Sequence, residues 1–115
     1  MIESLNNARI WVCTTPTDMR CSYNGLSALV KNHLQQNPLN GDLFVFINRK
    51  RTQMKAIYFE SGGYCIWGKR LEQGTFATLH SQSDTLTISW AQLRCLLEGM
   101  DIQIIKQRKR FLKVC

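Results

Sequence analysis

The sequence predicts an α+β fold, a single domain in which a mainly antiparallel sheet carries helices on one face. The chain has 115 residues, the size of one domain. Short aromatic and β-branched runs separated by turn signals alternate with two amphipathic helical patterns. The 44% apolar fraction can fill one core, and the 20% charged fraction argues against global disorder.

A strand and a helix come first in the predicted order. Residues 9–14, RIWVCT, are rich in aromatic and β-branched residues, which predicts a strand. After the turn TPTD, apolar residues recur from Ser22 onward at the three-and-four spacing of one buried helical face. Asn37-Pro38 is expected to end this helix, because proline disfavours helical geometry in the residue before it.

An antiparallel meander follows. The runs LFVFI (43–47) and MKAIYF (54–59) predict two strands, with the turn NRKRTQ between them. Ser61-Gly62-Gly63 is a second turn signal, and YCIWGKRL (64–71) predicts the third strand of the meander.

Two short strands and a late helix complete the predicted domain, residues 1–101. TFATL (75–79) and TLTI (85–88) are candidate strands. Ser89-Trp90-Ala91-Gln92 has the form of a capping box, which predicts a helix start. Gly99 suits the left-handed residue that closes a helix.

Membrane and cofactor chemistry find little support in the sequence. The longest apolar run, Leu43–Ile47, is far shorter than the roughly 18 residues of a membrane helix, and the start lacks the pattern of a signal peptide. We therefore expect a cytoplasmic protein without a membrane partner. Five scattered cysteines form no C-x-x-C pair and lie far from both histidines in sequence. This predicts no disulfide frame, no metal site, no cofactor and no small-molecule substrate.

Charge is the strongest functional signal. Fifteen Lys and Arg oppose eight Asp and Glu, a net charge of +7. Such a domain is expected to bind polyanions, because phosphate contacts release counterions. Residues 49–55 and 106–113 are rich in cations and contain no acid, which favours a binding surface over a basic surface kept for solubility. The basic C-terminal tail, residues 102–115, is compatible with a strand, a helix or an extended arm.

The turn between the first two strands of the meander carries the strongest nucleic-acid-binding candidates. Arg49, Lys50 and Arg51 lie in the loop, and Lys55 follows on the returning strand. A two-stranded ribbon fits a major groove, and arginine can grip guanine or phosphate with two hydrogen bonds. A solubilising loop is the alternative, and the basic character of the chain favours binding.

Further cations are candidates for the same surface. Lys69 shares a strand face with Trp67, and an aromatic ring beside a cation suits single strands, although Trp67 is equally a partner-contact or packing residue. Arg70 either meets phosphate or forms an ion pair with Glu72 on the same face. The tail cations would bind nucleic acid without sequence preference in any conformation: Lys106, Arg108, Lys109, Arg110 and Lys113.

Asp18-Met19-Arg20 supports two interpretations. Arg20 could meet a phosphate or a partner's carboxylate, with Asp18 orienting it. Alternatively, Asp18 caps the coming helix and pairs with Arg20, which fixes the joint between strand and helix. The second interpretation is favoured, because capping explains the spacing without a ligand.

Catalytic patterns are weak in this chain. The eight acids lie singly, mostly beside turns, and neither histidine stands in a recognisable nucleophile–base arrangement. A catalytic site with three carboxylates converging on two metal ions ordinarily takes a fold larger than this whole chain. We therefore expect a protein that is not an enzyme.

Several segments together resemble the TnpB accessory proteins of the insertion-sequence-sixty-six family. The shared pieces, over about Arg9–Asp101, are RIWVCTTPTDMR, YNGLSALV, GDLFVFINRKR, GGYCIWGKRLEQGTF and LRCLLEGMD. Cys21 replaces the family's usual lysine, Glu60 its usual aspartate, and Thr78-Leu79 its usual Trp-Pro. The resemblance implies an accessory factor encoded beside a separate, larger DDE-type transposase.

These observations predict a non-enzymatic accessory protein of DNA transposition. It would bind the DNA of its element, the transposase, or both, through the basic hairpin and the tail. Two alternatives remain open at the level of sequence: a protein–protein adaptor of the transposition complex without DNA contact, and an RNA-binding regulator of the element.

Overall fold

A mixed five-stranded sheet and two helices form the fold. The computed structural model describes residues 7–79 and 81–99. The elements in chain order are β1 (Ile10–Cys13), α1 (Tyr23–Asn32), β2 (Leu43–Ile47), β3 (Gln53–Glu60), β4 (Gly63–Arg70), β5 (Thr85–Ile88) and α2 (Trp90–Leu97). The predicted α+β class, dominated by the sheet, is confirmed. The tail 102–115 lies outside the described residues.

The sheet combines one parallel pair with three antiparallel pairs, in the order β4-β3-β2-β1-β5. β1 runs parallel to β2, with Ile10 opposite Leu43, and α1 makes the crossover between them. β5 returns antiparallel to β1 and places Ile88 opposite Ile10. The strand predicted at TLTI is thus confirmed, whereas TFATL (75–79) forms no strand.

The meander β2-β3-β4 forms as the turn signals predict. Ser61 and Gly62 both have positive φ, 53° and 84°, and connect the paired residues Glu60 and Gly63. Two consecutive left-handed residues match the type I′ turn, whose twist suits a two-residue hairpin. Glycine adopts this conformation without steric cost, which explains why the turn falls here.

The two helices pack on opposite faces of the sheet, which differs from the predicted placement of both on one face. Leu93 and Leu96 of α2 pack in a cluster with Val45. Leu26 and Val30 of α1 belong to a second cluster. The reason lies in β2, where all five residues of LFVFI are buried. A strand apolar on both sides needs cover on both sides, which one helical layer cannot provide.

The two helices begin and end differently. Ser89 Oγ accepts a hydrogen bond from Gln92 N–H, and the Gln92 side chain accepts from Ser89 N–H, so the predicted capping box is confirmed. Gly99 has the expected left-handed conformation, with φ 77°. α1, by contrast, begins after Ser22 without a side-chain cap. It ends at Asn32, earlier than the predicted stop at Asn37-Pro38.

Candidate nucleic-acid interface

The loop between β2 and β3 is organised by one asparagine. Asn48 N–H donates to the Gln53 carbonyl over 3.1 Å and closes the hairpin. Its side-chain Oδ1 accepts from the backbone N–H groups of Thr52 and Gln53, over 2.8 and 3.0 Å. Its Nδ2 donates to Thr52 Oγ1. Sequence reasoning missed this role, although asparagine commonly bonds nearby backbone in turns.

Arg51 is part of the loop's framework. Its Nε donates to the Phe76 carbonyl over 2.9 Å, and its own carbonyl accepts from Phe76 N–H over 2.7 Å. Its φ of 57° is left-handed, a conformation that costs a non-glycine residue about 1–2 kcal/mol. Phe76 is fully buried, so this contact ties the loop to the core. It also explains why TFATL is no strand, since Phe76 bonds to a loop.

Arg49 and Lys50, which we call the hairpin tip, have a different environment. Both side chains are exposed. Within residues 7–79 and 81–99, no hydrogen bond or ion pair engages either side chain. The loop beneath them is held by the bonds of Asn48 and Arg51. The hairpin tip thus presents two adjacent cations on an ordered backbone, which limits the entropy lost on binding.

Lys55 and Lys69 contact the protein's own backbone on opposite faces of the sheet. Lys55 Nζ donates to the Cys21 carbonyl over 2.9 Å, immediately before α1. Lys69 Nζ donates to the Leu97 carbonyl at the end of α2. A cation at a helix C-terminus also interacts favourably with the helix dipole. Each ammonium group therefore has a contact within the fold, whatever else it binds.

Arg70 and Trp67 lie on the edge strand β4. Arg70 Nε lies 3.3 Å from Glu72 Oε2, and both side chains are exposed, so the ion pair considered from the sequence is present. An exposed pair of this kind contributes little to stability. Trp67 is partly buried and packs against the cluster that contains Leu93 and Leu96 of α2, a position compatible with a packing role.

Asp18 and Arg20 form an exposed ion pair. Arg20 Nη2 lies 2.6 Å from Asp18 Oδ2, and Arg20 Nε and backbone N–H also donate to the carboxylate. Hydrogen bonds from the Arg20 side chain and backbone lower the pKa of Asp18 from 3.8 to about 2. Asp18 does not cap α1, because the N-cap is Ser22. The expected pair is present, and the expected helix cap is wrong.

One polar cluster was invisible in the sequence. Thr15 Oγ1 lies 3.1 Å from His33 Nε2 and 3.3 Å from Cys13 Sγ, and Asp84 Oδ2 lies 3.7 Å from the same His33 nitrogen. These residues come from β1, the loop after it, the C-cap of α1 and the loop before β5. In a hydrolase triad, the nucleophile and the carboxylate meet different ring nitrogens of the histidine. Here the Thr15 and Asp84 oxygens both approach Nε2. The geometry differs from a triad, and the contacts connect the loops after β1 and before β5 to the end of α1.

Three further expectations concern a metal site, a membrane helix and the basic tail. The described residues contain no group of three or more metal-ligating side chains. No helix formed by them is long and apolar enough to cross a membrane. The predicted tail cations lie outside the described residues: Lys106, Arg108, Lys109, Arg110 and Lys113.

Comparison with known proteins identifies the family. The model of the family described as IS66 Orf2 like protein matches residues 8–107, which include the hairpin and all the helices and strands found in residues 7–79 and 81–99. The chain belongs to the IS66 Orf2-like family. Membership implies an accessory role in the transposition of such elements.

Two relatives of the IS66 Orf2-like chain come from Sinorhizobium fredii (strain NBRC 101917 / NGR234). Uncharacterized protein y4hO is 41% identical over 101 residues, which cover 88% of each chain. Uncharacterized protein y4jC is 34% identical over 108 residues, which cover 94% of this chain and 92% of the relative. No solved structure matches the chain significantly.

Proposed function

We propose that this protein is a non-enzymatic accessory factor of transposition that binds the DNA of its element through the hairpin tip and the basic tail. The observation that carries the proposal is the contrast among the cations. Arg20 and Arg70 are paired with acids, and Lys55 and Lys69 contact backbone carbonyls. The hairpin tip instead offers two neighbouring cations to a ligand.

The physical basis of this binding is electrostatic. Each phosphate neutralised by Lys or Arg releases counterions, which gives affinity without sequence preference. A rigid hairpin can enter a major groove or lie along the phosphate backbone. The tail cations would add phosphate contacts of the same sequence-independent kind. In a transposition complex, such a factor would hold element DNA beside the transposase.

The decisive experiment measures binding of the full chain to element-end duplex DNA, unrelated duplex and single-stranded RNA at several salt concentrations. The variant Arg49→Ala/Lys50→Ala should lower the log–log salt slope on duplex by about 1.8, since each phosphate contact contributes about 0.9. The matched control Arg20→Ala/Arg70→Ala removes the same charge from ion-paired sites and should leave the slope close to that of the unaltered chain. If both double variants lower the slope equally, net charge and not the hairpin tip carries binding.

The tail requires its own arm of the experiment. A variant with alanine at four of the five tail cations should weaken binding further: Lys106, Arg108, Lys109 and Arg110. If this variant abolishes the salt dependence while the hairpin-tip variant does not change it, the tail alone carries the contact. Preference for single-stranded RNA over duplex would support the RNA-regulator alternative.

An adaptor that binds the transposase is the second candidate, favoured by one surface feature. A groove of about 610 Å³ lies beside α1, lined by residues that include Lys31, Leu39 and Tyr64. Leu39 is 54% exposed, so the groove offers an apolar contact to a partner. If the protein binds none of the nucleic acids at low salt but retains purified transposase in a pull-down that Leu39→Asp abolishes, the adaptor function is supported instead.

A further inference from the structure

A small cleft lies where the neighbouring parallel strands β1 and β2 end. It has a volume of about 140 Å³ and is lined by the segment after β1, the start of the hairpin loop and residues 77–79. Thr17 N–H donates to the Ile47 carbonyl over 2.9 Å and joins the segment after β1 to the end of β2. In open α/β sheets, ligands commonly bind outside the carboxyl ends of parallel strands, and this cleft lies at the corresponding place beside the one parallel pair of the described sheet.

The lining of the cleft favours an anion. Arg49 and Arg51 both line it, and none of its described lining residues is Asp or Glu. Arg51 is held in place because its Nε is bonded to the Phe76 carbonyl, which leaves the two Nη groups of the guanidinium as donors. Thr78, from the segment that follows Phe76, also lines the cleft and carries a hydroxyl that can donate to an anion. Planar guanidinium groups suit phosphate oxygens in particular.

The size of the cleft limits the ligand. Sites for small organic molecules usually measure about 300–1,000 Å³, well above the 140 Å³ found here. Each water in the liquid takes up about 30 Å³, so the cleft has the volume of a few waters. It therefore suits one phosphate group and is too small for a whole nucleotide.

We propose that this cleft is a phosphate-binding site, which in the DNA complex holds one phosphate of the strand between Arg49, Arg51 and Thr78. That the phosphate comes from DNA rests on the proposed function. That the cleft binds phosphate at all rests only on the residues that line it. Arg49 would then belong both to the hairpin tip and to the cleft, whereas Lys50 would contact DNA outside the cleft. Lys50 does not line the cleft, so it offers a matched control.

The first test fills the cleft without changing the charge. Thr78→Leu should weaken duplex binding roughly tenfold and lower the salt slope by about 0.9, the contribution of one phosphate contact. Thr78→Ser keeps the hydroxyl and should bind like the unaltered chain. Urea unfolding of both variants verifies that the fold is retained. If the unaltered chain binds DNA and Thr78→Leu binds equally well, the cleft proposal fails while the proposed function stands.

The second test detects the site without DNA. Inorganic phosphate, titrated against sodium chloride at equal ionic strength, should shift backbone amide NMR signals of residues 14–15, 48–49 and 77–79. Thr78→Leu should abolish these shifts and Lys50→Ala should preserve them. Shifts spread evenly over all exposed cations would overturn the cleft proposal. Localised shifts in a chain that binds no DNA would retain the phosphate site and reject the proposed function.

A third comparison identifies the source of the phosphate. Oligonucleotides with a 5′-phosphate and with a 5′-hydroxyl should bind equally if the cleft takes a backbone phosphodiester, which the adjacent hairpin tip leads us to expect. Tighter binding of the phosphorylated strand, lost in Thr78→Leu, would assign the cleft to a strand end. In either case the ligand is a nucleic-acid phosphate.

Discussion

Arg51 and Phe76 exchange two hydrogen bonds: Phe76 N–H donates to the Arg51 carbonyl over 2.7 Å, and Arg51 Nε donates to the Phe76 carbonyl over 2.9 Å. The pair joins a surface loop to a fully buried aromatic residue. A cation selected from the sequence for ligand binding is thus also a structural residue, so substitutions there affect both stability and binding.

Substitution of Arg51 should separate its side-chain and backbone contributions. Arg51→Ala should lower the free energy of unfolding by about 2 kcal/mol, because a hydrogen bond from a charged group is lost. Arg51→Gly should recover about 1 kcal/mol of this loss, because glycine tolerates the left-handed conformation. Urea unfolding measures both. Arg49→Ala, at an exposed neighbour, is the control and should change stability by less than about 0.5 kcal/mol; an equal loss in Arg49→Ala and Arg51→Ala would contradict the assigned role.

Asp18 should titrate at an unusually low pH. Its pKa is lowered to about 2 from 3.8 by hydrogen bonds from Arg20. Because the folded pKa is depressed, the stabilisation from this pair is present above about pH 3.8 and is lost as the pH falls through about 2. Carboxyl carbon NMR should find the low pKa in the unaltered chain and a higher pKa in Arg20→Gln, still below 3.8 because the backbone N–H of residue 20 keeps its hydrogen bond to the carboxylate. A pKa near 3.8 in both proteins would show that the pair does not persist in solution.

The two helix N-caps form a natural comparison. Ser89 Oγ accepts from Gln92 N–H over 3.1 Å, whereas Ser22 makes no side-chain cap hydrogen bond. Ser89→Ala should therefore destabilise the protein by about 1 kcal/mol, and Ser22→Ala by clearly less. Thermal and urea unfolding provide the measurement. Equal effects of the two substitutions would be inconsistent with the capping box.

Lys69 and Arg70 should differ in their contributions to stability, although they are adjacent. Lys69→Met keeps the aliphatic stem but loses the bond to the Leu97 carbonyl, at an expected cost of about 1–2 kcal/mol. Arg70→Gln loses an exposed ion pair with Glu72 and should cost less than about 0.5 kcal/mol. The reverse order in urea unfolding would contradict the contact between β4 and α2.

Local signals predicted the elements well, and the long-range arrangement poorly. The capping box at Ser89 and the turn at Ser61-Gly62 act through neighbouring residues, so the sequence reveals them directly. The packing of the helices on opposite faces depends on which strands become neighbours. LFVFI already contained the clue, since a run without alternation indicates a strand buried on both sides.

The candidate site shows the same division. Arg49 and Lys50 were identifiable as loop cations from their position between two apolar runs. The bond of Arg51 to Phe76 and that of Lys69 to Leu97 span 25 and 28 positions, and nothing in local spacing encodes them. The cleft likewise requires three separate segments to meet, which only the fold determines.

The position of β1 has a consequence for biosynthesis. This strand lies between β2 and β5, and its partner Thr85–Ile88 is among the last described segments to be synthesised. Closing so long a loop slows folding, because chain entropy is lost before the contacts form. A nascent chain released before Ile88 would leave one edge of β1 unpaired and exposed to aggregation or proteolysis. We therefore expect a chain truncated before Thr85 to be degraded faster in cells than the full-length chain.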